Sequence, residues 1–91
     1  MRIIENSTVP MEDTTSAPIF FGGSVSKQGL VDESNSEFFV SSVISFAAGA
    51  RNKFHRHSSD QLLFVTEGKG IVATEDNEFI VTKGSTVHVA A

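Results

Sequence analysis

From Ser36 onward, apolar and polar positions follow the period of a β-strand. Phe38, Val40, Ile44 and Phe46 share one face of the run. Phe39, Ser41, Val43 and Ser45 share the other, so one face is apolar and one is mixed. Ala47-Ala48-Gly49-Ala50 breaks the run, and further strands are predicted over residues 52–57, 61–66, 71–74, 78–82 and 86–90. Between them lie Ser58-Ser59, Gly68-Lys69-Gly70, Asp76-Asn77 and Lys83-Gly84, which are turn formers. No window carries apolar residues at helical spacing for more than a turn, so no helix is expected. Short strands punctuated by glycine predict an all-β sandwich or small barrel.

The N-terminal side reads differently. Residues 6–16 are rich in Ser, Thr, Asp, Glu and Pro without periodicity. A short extended piece at residues 19–21 and a turn at Gly22-Gly23 follow. The expected organisation is an irregular arm over residues 1–18 and one β-domain over residues 19–91. Residues 86–91 keep strand composition to the last position, so the C-terminal strands are expected to be incomplete. An unpaired strand there is an edge that a partner subunit or further chain would cover.

Composition narrows the chemistry. Ninety-one residues suffice for one small domain with a thin core, to which a metal or a second subunit would add stability. There is no cysteine, so disulfides and thiolate metal sites are excluded, and imidazole and oxygen remain as ligands. A net charge of −4, with seven Lys+Arg and no basic run, argues against nucleic acid as a partner. No apolar run approaches the ~20 residues of a membrane span, and residues 1–6 do not form a signal peptide. No membrane partner is expected, and the expected location is the cytoplasm. All eight aromatic residues are Phe, which buries area without needing a hydrogen-bond partner.

The candidate chemistry lies in residues 49–68. On a strand, His55 and His57 would share a face about 7 Å apart, close enough to converge on one ion. Gln61 follows after a three-residue turn and can face the same space. Two imidazoles and an amide oxygen suit a divalent Mn, Fe, Ni or Zn ion. An isolated H-x-H pair in a strand is commonly surface chemistry, so the wider pattern matters. Lys53 shares the expected strand face with His55 and could meet an anionic substrate. Arg56 would point the opposite way, and Asp60 reads as a turn former.

That wider pattern is Gly49, five residues, H-x-H, three residues, Gln61, six residues, Gly68. It resembles the first motif of the cupin superfamily, with Gln61 where most members carry Glu. Phe46-x-x-Gly49-Ala50-Arg51, His55-x-His57-x-x-x-Gln61 and Leu63-x-Val65-Thr66-x-Gly68-x-Gly70 resemble the small single-domain cupins. Those include the manganese-dependent bacterial hydroxynitrile lyases. The resemblance covers residues 17–91. It implies a double-stranded β-helix, a jelly-roll-like small barrel, with His55, His57 and Gln61 as ligands of one divalent ion, manganese foremost. It also implies a fourth ligand, a histidine of a second motif that would fall beyond Ala91; His88 sits where the family places a wall residue. Small cupins of this kind are usually homodimers, and residues 19–21 are the segment expected to pair across such a dimer.

The function these features imply is metal-dependent chemistry on a small organic molecule inside the barrel, of lyase, dioxygenase or isomerase type. The alternatives are a non-catalytic cupin that binds a small ligand or regulates, and an incomplete cupin fragment.

Overall fold

A computed structural model describes the whole chain, Met1–Ala91, as nine short strands with one 3₁₀ turn at Asn6–Thr8 and no α-helix. The all-β expectation holds. The chain forms two compact units, Met1–Lys53 and Phe54–Ala91.

The first unit is built on a strand that the hydrophobic pattern did not reveal. Strand β3 (Val25–Val31) is central in an antiparallel sheet between β1 (Glu12–Asp13) and β4 (Ser41–Phe46). Its sequence, Val-Ser-Lys-Gln-Gly-Leu-Val, has too many polar residues to show an apolar stripe. The polar side chains instead fasten the arm. The Gln28 amide donates to the Asn6 and Val9 carbonyls at 2.8 and 3.0 Å, and Arg2 donates to the Leu30 carbonyl at 3.3 Å. The segment expected to be irregular therefore contributes β1 and is tied down by β3.

Val25 is the centre of this unit and the one residue in the chain that is fully buried, at 1% exposure. Its N–H donates to the Thr15 hydroxyl at 3.0 Å, and its carbonyl accepts from the Thr14 N–H at 2.9 Å. Its pairing partner is Phe46, whose ring meets Phe20 edge-to-face at 5.8 Å. Strand β4 begins only at Ser41, so residues 38–40 lie outside the strand predicted for them. The reason is pairing: β3 ends at Val31, opposite Ser41, and the chain then turns through Asp32, whose carbonyl accepts from Asn35 and Ser36. Phe38, Phe39 and Val40 are left exposed.

A two-stranded ribbon completes the unit. Strand β2 (Phe20–Phe21) pairs with β5 (Arg51–Asn52), so one edge of β2 is paired within its own chain. The ribbon brings two glycine turns together. Gly22 and Gly49 both have positive φ, and a Cβ on Gly22 would stand 2.6 Å from the Gly49 carbonyl oxygen, so close approach requires glycine at 22. At Gly49, the first glycine of the motif, the positive φ of 86° is what favours glycine, with a Cβ there 3.3 Å from the Gly22 carbonyl oxygen.

The second unit holds two antiparallel ribbons, close to the predicted strands. Strand β6 (Gln61–Phe64) pairs with β9 (Thr86–Val89), and β7 (Lys69–Ala73) pairs with β8 (Glu78–Thr82). Gly68, at positive φ, makes the turn into β7. The β7–β8 loop is four residues, closed by the Thr74 N–H to the Asn77 carbonyl at 2.9 Å. On this hairpin Ile71 and Ile80 face each other directly and are 63% and 70% exposed. Val72 and Val81 on the other face are half-buried. No helix is long and apolar enough to cross a membrane.

Candidate metal centre

The H-x-H pair does not lie on a strand. Pairing with β2 ends after Asn52, with one last bond from the Lys53 N–H to the Ile19 carbonyl at 2.8 Å. Residues 53–60 are irregular up to the start of β6. The predicted strand over residues 52–57 therefore shrinks to Arg51–Asn52, because the two residues of β2 offer nothing further to pair with.

Freed from strand alternation, the two imidazoles approach more closely than the expected 7 Å. His55 Nε2 and His57 Nε2 are 2.9 Å apart, with ring centroids 4.6 Å apart and ring planes at 76°. Two nitrogen lone pairs at this distance repel unless something positive lies between them. Either one ring donates its N–H to the other, or both donate to a cation. Two donors held at about 2.1 Å on adjacent positions of a six-coordinate ion stand about 3.0 Å apart; on a tetrahedral ion they stand about 3.4 Å apart. The observed spacing fits a ring-to-ring hydrogen bond and also two donors on adjacent positions of a six-coordinate ion.

No three His, Cys, Asp or Glu side chains gather at one place, so the pair needs amide or water oxygen to complete a ligand set. Gln61 is the amide in question. It opens β6 and lies directly opposite Val89 of β9, so both side chains share a face of that ribbon with Leu63 and Val87. Val89 in turn lines an open cleft of about 410 Å³ together with His55, Arg56, His57, Ala90 and Ala91. Gln61 itself is not among the residues that line this cleft.

His88 belongs to the other face. It pairs with Leu62, one position out of step with Gln61, and its Nε2–H donates to Asp60 Oδ2 at 2.8 Å. Asp60 Oδ1 accepts the Ala91 N–H at 3.0 Å. The His88 hydrogen bond, and then that from Ala91, hold the Asp60 carboxyl below the usual carboxylate range. Asp60 is therefore more than a turn former: it clasps the end of β9 to the turn between His57 and Gln61. Sequence spacing could not show this, since the partners are 28 and 31 residues apart.

The basic residues also change places. Arg56 was expected to point away from the histidines, yet it lines the cleft, because the irregular backbone there does not alternate. Lys53 belongs to the first unit, beyond β5. A second cleft, of about 320 Å³, lies in the first unit and is lined by Val9, Pro10, Glu12, Lys27, Gly29 and Asp32. It has no imidazole, and its lysine is the register partner of Glu12.

A family model for the cupin domain matches residues 42–91, and no curated protein and no solved structure matches the chain. The matched span runs from β4 through β9 and contains His55, His57 and Gln61. Covering more than half of an all-β chain and the whole of the first motif, the match shows that the chain belongs to the cupin family.

Proposed function

We propose that the chain is a metal-dependent cupin enzyme acting on a small organic molecule, with His55, His57 and Gln61 holding one divalent ion. The observation that carries this reading is the 2.9 Å approach of the two Nε2 atoms at the edge of an open cleft. When bound, such an ion supplies Lewis-acid polarisation of a ligand oxygen. The two imidazoles hold it as neutral donors, and Gln61 adds an amide oxygen that brings no charge. Val89, Ala90 and Ala91 give one side of the open cleft an apolar lining. Manganese is the first candidate, since right-angled donors and mixed nitrogen and oxygen ligands suit it; iron, nickel and zinc share the donor preference.

Gln61, with Phe46-x-x-Gly49-Ala50-Arg51, supports placement near the manganese-dependent hydroxynitrile lyase branch. Lyase chemistry is therefore the first to test, and dioxygenase or isomerase chemistry next. A homodimer is part of the same proposal. Exposed Phe38, Phe39 and Val40 on one unit, and the Ile71–Ile80 pair on the other, are apolar surface that a second copy would cover.

The test is reconstitution. Metal-stripped protein is loaded with Mn, Fe, Ni or Zn and assayed for cyanide release from a cyanohydrin, isomerisation of a hydroxy-ketone and oxygen uptake with small organic acids. Turnover that appears with metal, and is lost on stripping and in His57→Ala, supports the enzyme. Small-ligand binding without turnover under all four metals assigns the chain to the non-catalytic class.

A further inference from the structure

We propose that two copies of this chain join through the free edge of strand β4, extended through residues 38–40, which pairs antiparallel with its own counterpart about Ser42. The inference rests on the homodimer part of the proposed function, whose interface it names, and it is independent of the metal.

The backbone shows which groups are free. Strand β4 is the last of its sheet, with β3 on one side only. The Ala47 N–H donates to the Ser24 carbonyl at 2.9 Å, in the register that also sets Ser45 opposite Ser26 and Val43 opposite Gln28. In an antiparallel pair, residues that exchange hydrogen bonds alternate with residues that do not. Val43, Ser45 and Ala47 therefore turn their backbone groups to β3, while Ser42, Ile44 and Phe46 turn theirs outward. Val25, opposite Phe46, confirms the phase: its N–H and carbonyl are bonded to Thr15 and Thr14, on the side away from Phe46. No strand receives the outward groups of β4.

The side chains decide what fits this edge. Edge strands are ordinarily blunted by charge, proline or a short length. The other edge of the sheet, β1, has two of these features: it is two residues long, and both, Glu12 and Asp13, are acidic. Residues 38–46 read Phe-Phe-Val-Ser-Ser-Val-Ile-Ser-Phe, with no charge, proline or glycine. An outward-turned residue pairs with another outward-turned residue, so β4 can meet its own copy only in registers that oppose even-numbered positions. With Ser42 opposite Ser42, Val40 lies opposite Ile44 and Phe38 opposite Phe46. Apolar side chains then meet on the face that carries Val25, and no like charges are opposed. Phe38, Phe39 and Phe46 are 83%, 73% and 46% exposed, which amounts to two whole Phe side chains, or about 400 Å² at ~200 Å² each. Val40 and Ile44 add to this, so the segment approaches the roughly 600 Å² per partner at the low end of specific interfaces. Pairing is isologous and gives one six-stranded sheet. Both of its outer edges are the acidic β1, so the assembly stops at two.

The experiment combines sedimentation of the full chain with cross-linking. Val40→Pro removes the N–H that would donate to the partner copy, and Val40→Lys sets a charge on the bare edge. Val40 lies outside β4 and is exposed, so neither variant takes a bond or a packed side chain from the single copy. Each should weaken dimerisation about tenfold or more. The chain has no cysteine of its own, so an introduced one reports alone. Two copies of Ser42 paired with each other stand about 5.5 Å apart at Cα, a separation that a disulfide spans. Ser42→Cys should therefore form a covalent dimer under mild oxidation. Ser45→Cys should not, since its two copies would stand about 20 Å apart at ~3.3 Å per residue. A wild type that stays monomeric at micromolar concentration overturns the homodimer reading and this inference with it. A wild-type dimer that both Val40 variants retain, with Ser42→Cys no faster to cross-link than Ser45→Cys, overturns the inference alone. Assemblies larger than two that Val40→Lys leaves intact overturn it as well.

Discussion

Val25→Ala is the substitution whose cost follows most directly from the structure. Val25 is the fully buried side chain of the chain, at 1% exposure, and its backbone joins β3 to Thr14 and Thr15 on one side and to Phe46 on the other. Alanine keeps those backbone bonds and removes two carbons. At about 0.8 kcal/mol per buried methylene, the transfer loss is roughly 1.6 kcal/mol. A remnant cavity of ~20–30 Å³, at about 24 cal/mol per Å³, adds roughly 0.6 kcal/mol. The total of about 2 kcal/mol is a large share of the 5 to 15 kcal/mol typical of a whole domain. In urea, with a slope of about 1 kcal/mol/M for so small a unit, the midpoint should fall by about 2 M at fixed protein concentration. Met11→Ala, at an exposed position in the arm, should stay within about 0.5 kcal/mol of wild type. A loss below about 0.5 kcal/mol for Val25→Ala would refute the idea that this residue centres the first unit.

Three further outcomes are expected. Gln61→Glu should retain metal, shift its preference and weaken the binding of anions, since the carboxylate removes one positive unit; unchanged metal affinity in Gln61→Ala would reduce Gln61 to a packing residue. The Ala91 amide proton, followed by NMR, should titrate with a midpoint below about 3.9: the Asp60 carboxyl is depressed in the folded chain, so its bonds persist above the ordinary carboxylate value and are lost as pH falls through the lower one. A midpoint at or above that value would mean the clasp does not form in solution. Sedimentation at micromolar concentration should give a dimer, because an interface of about 800 Å² per partner can draw on the exposed Ile71–Ile80 and 38–40 surfaces; a stable 9.8 kDa monomer would contradict this.

The second unit was largely legible in the sequence. Residues 61–64, 78–82 and 86–89 are apolar runs between Gly, Asp and Asn turns, and they are strands within one or two residues of the predicted limits. Strand β3 was not legible because its polar residues serve the sheet without forming a stripe: Lys27 pairs with Glu12 and Ile44, and Gln28 fastens the arm. The 38–40 segment misled in the opposite sense, since it has strand composition but no partner once β3 has ended. At the site, the spacing of His55 and His57 pointed to convergence, though the strand geometry invoked for it is absent. Asp60 shows what spacing leaves out: its bonds to His88 and Ala91 cross 28 and 31 residues of chain and leave no local mark in the sequence.

The central claim, a metal held by His55 and His57, is tested most directly by metal analysis of wild type and His57→Ala after identical loading and desalting. The account predicts about one Mn, Fe, Ni or Zn ion per wild-type chain and almost none in the variant, with wild-type occupancy falling as pH drops, because protons compete for ligand imidazoles. Equal occupancy in the two proteins would contradict it.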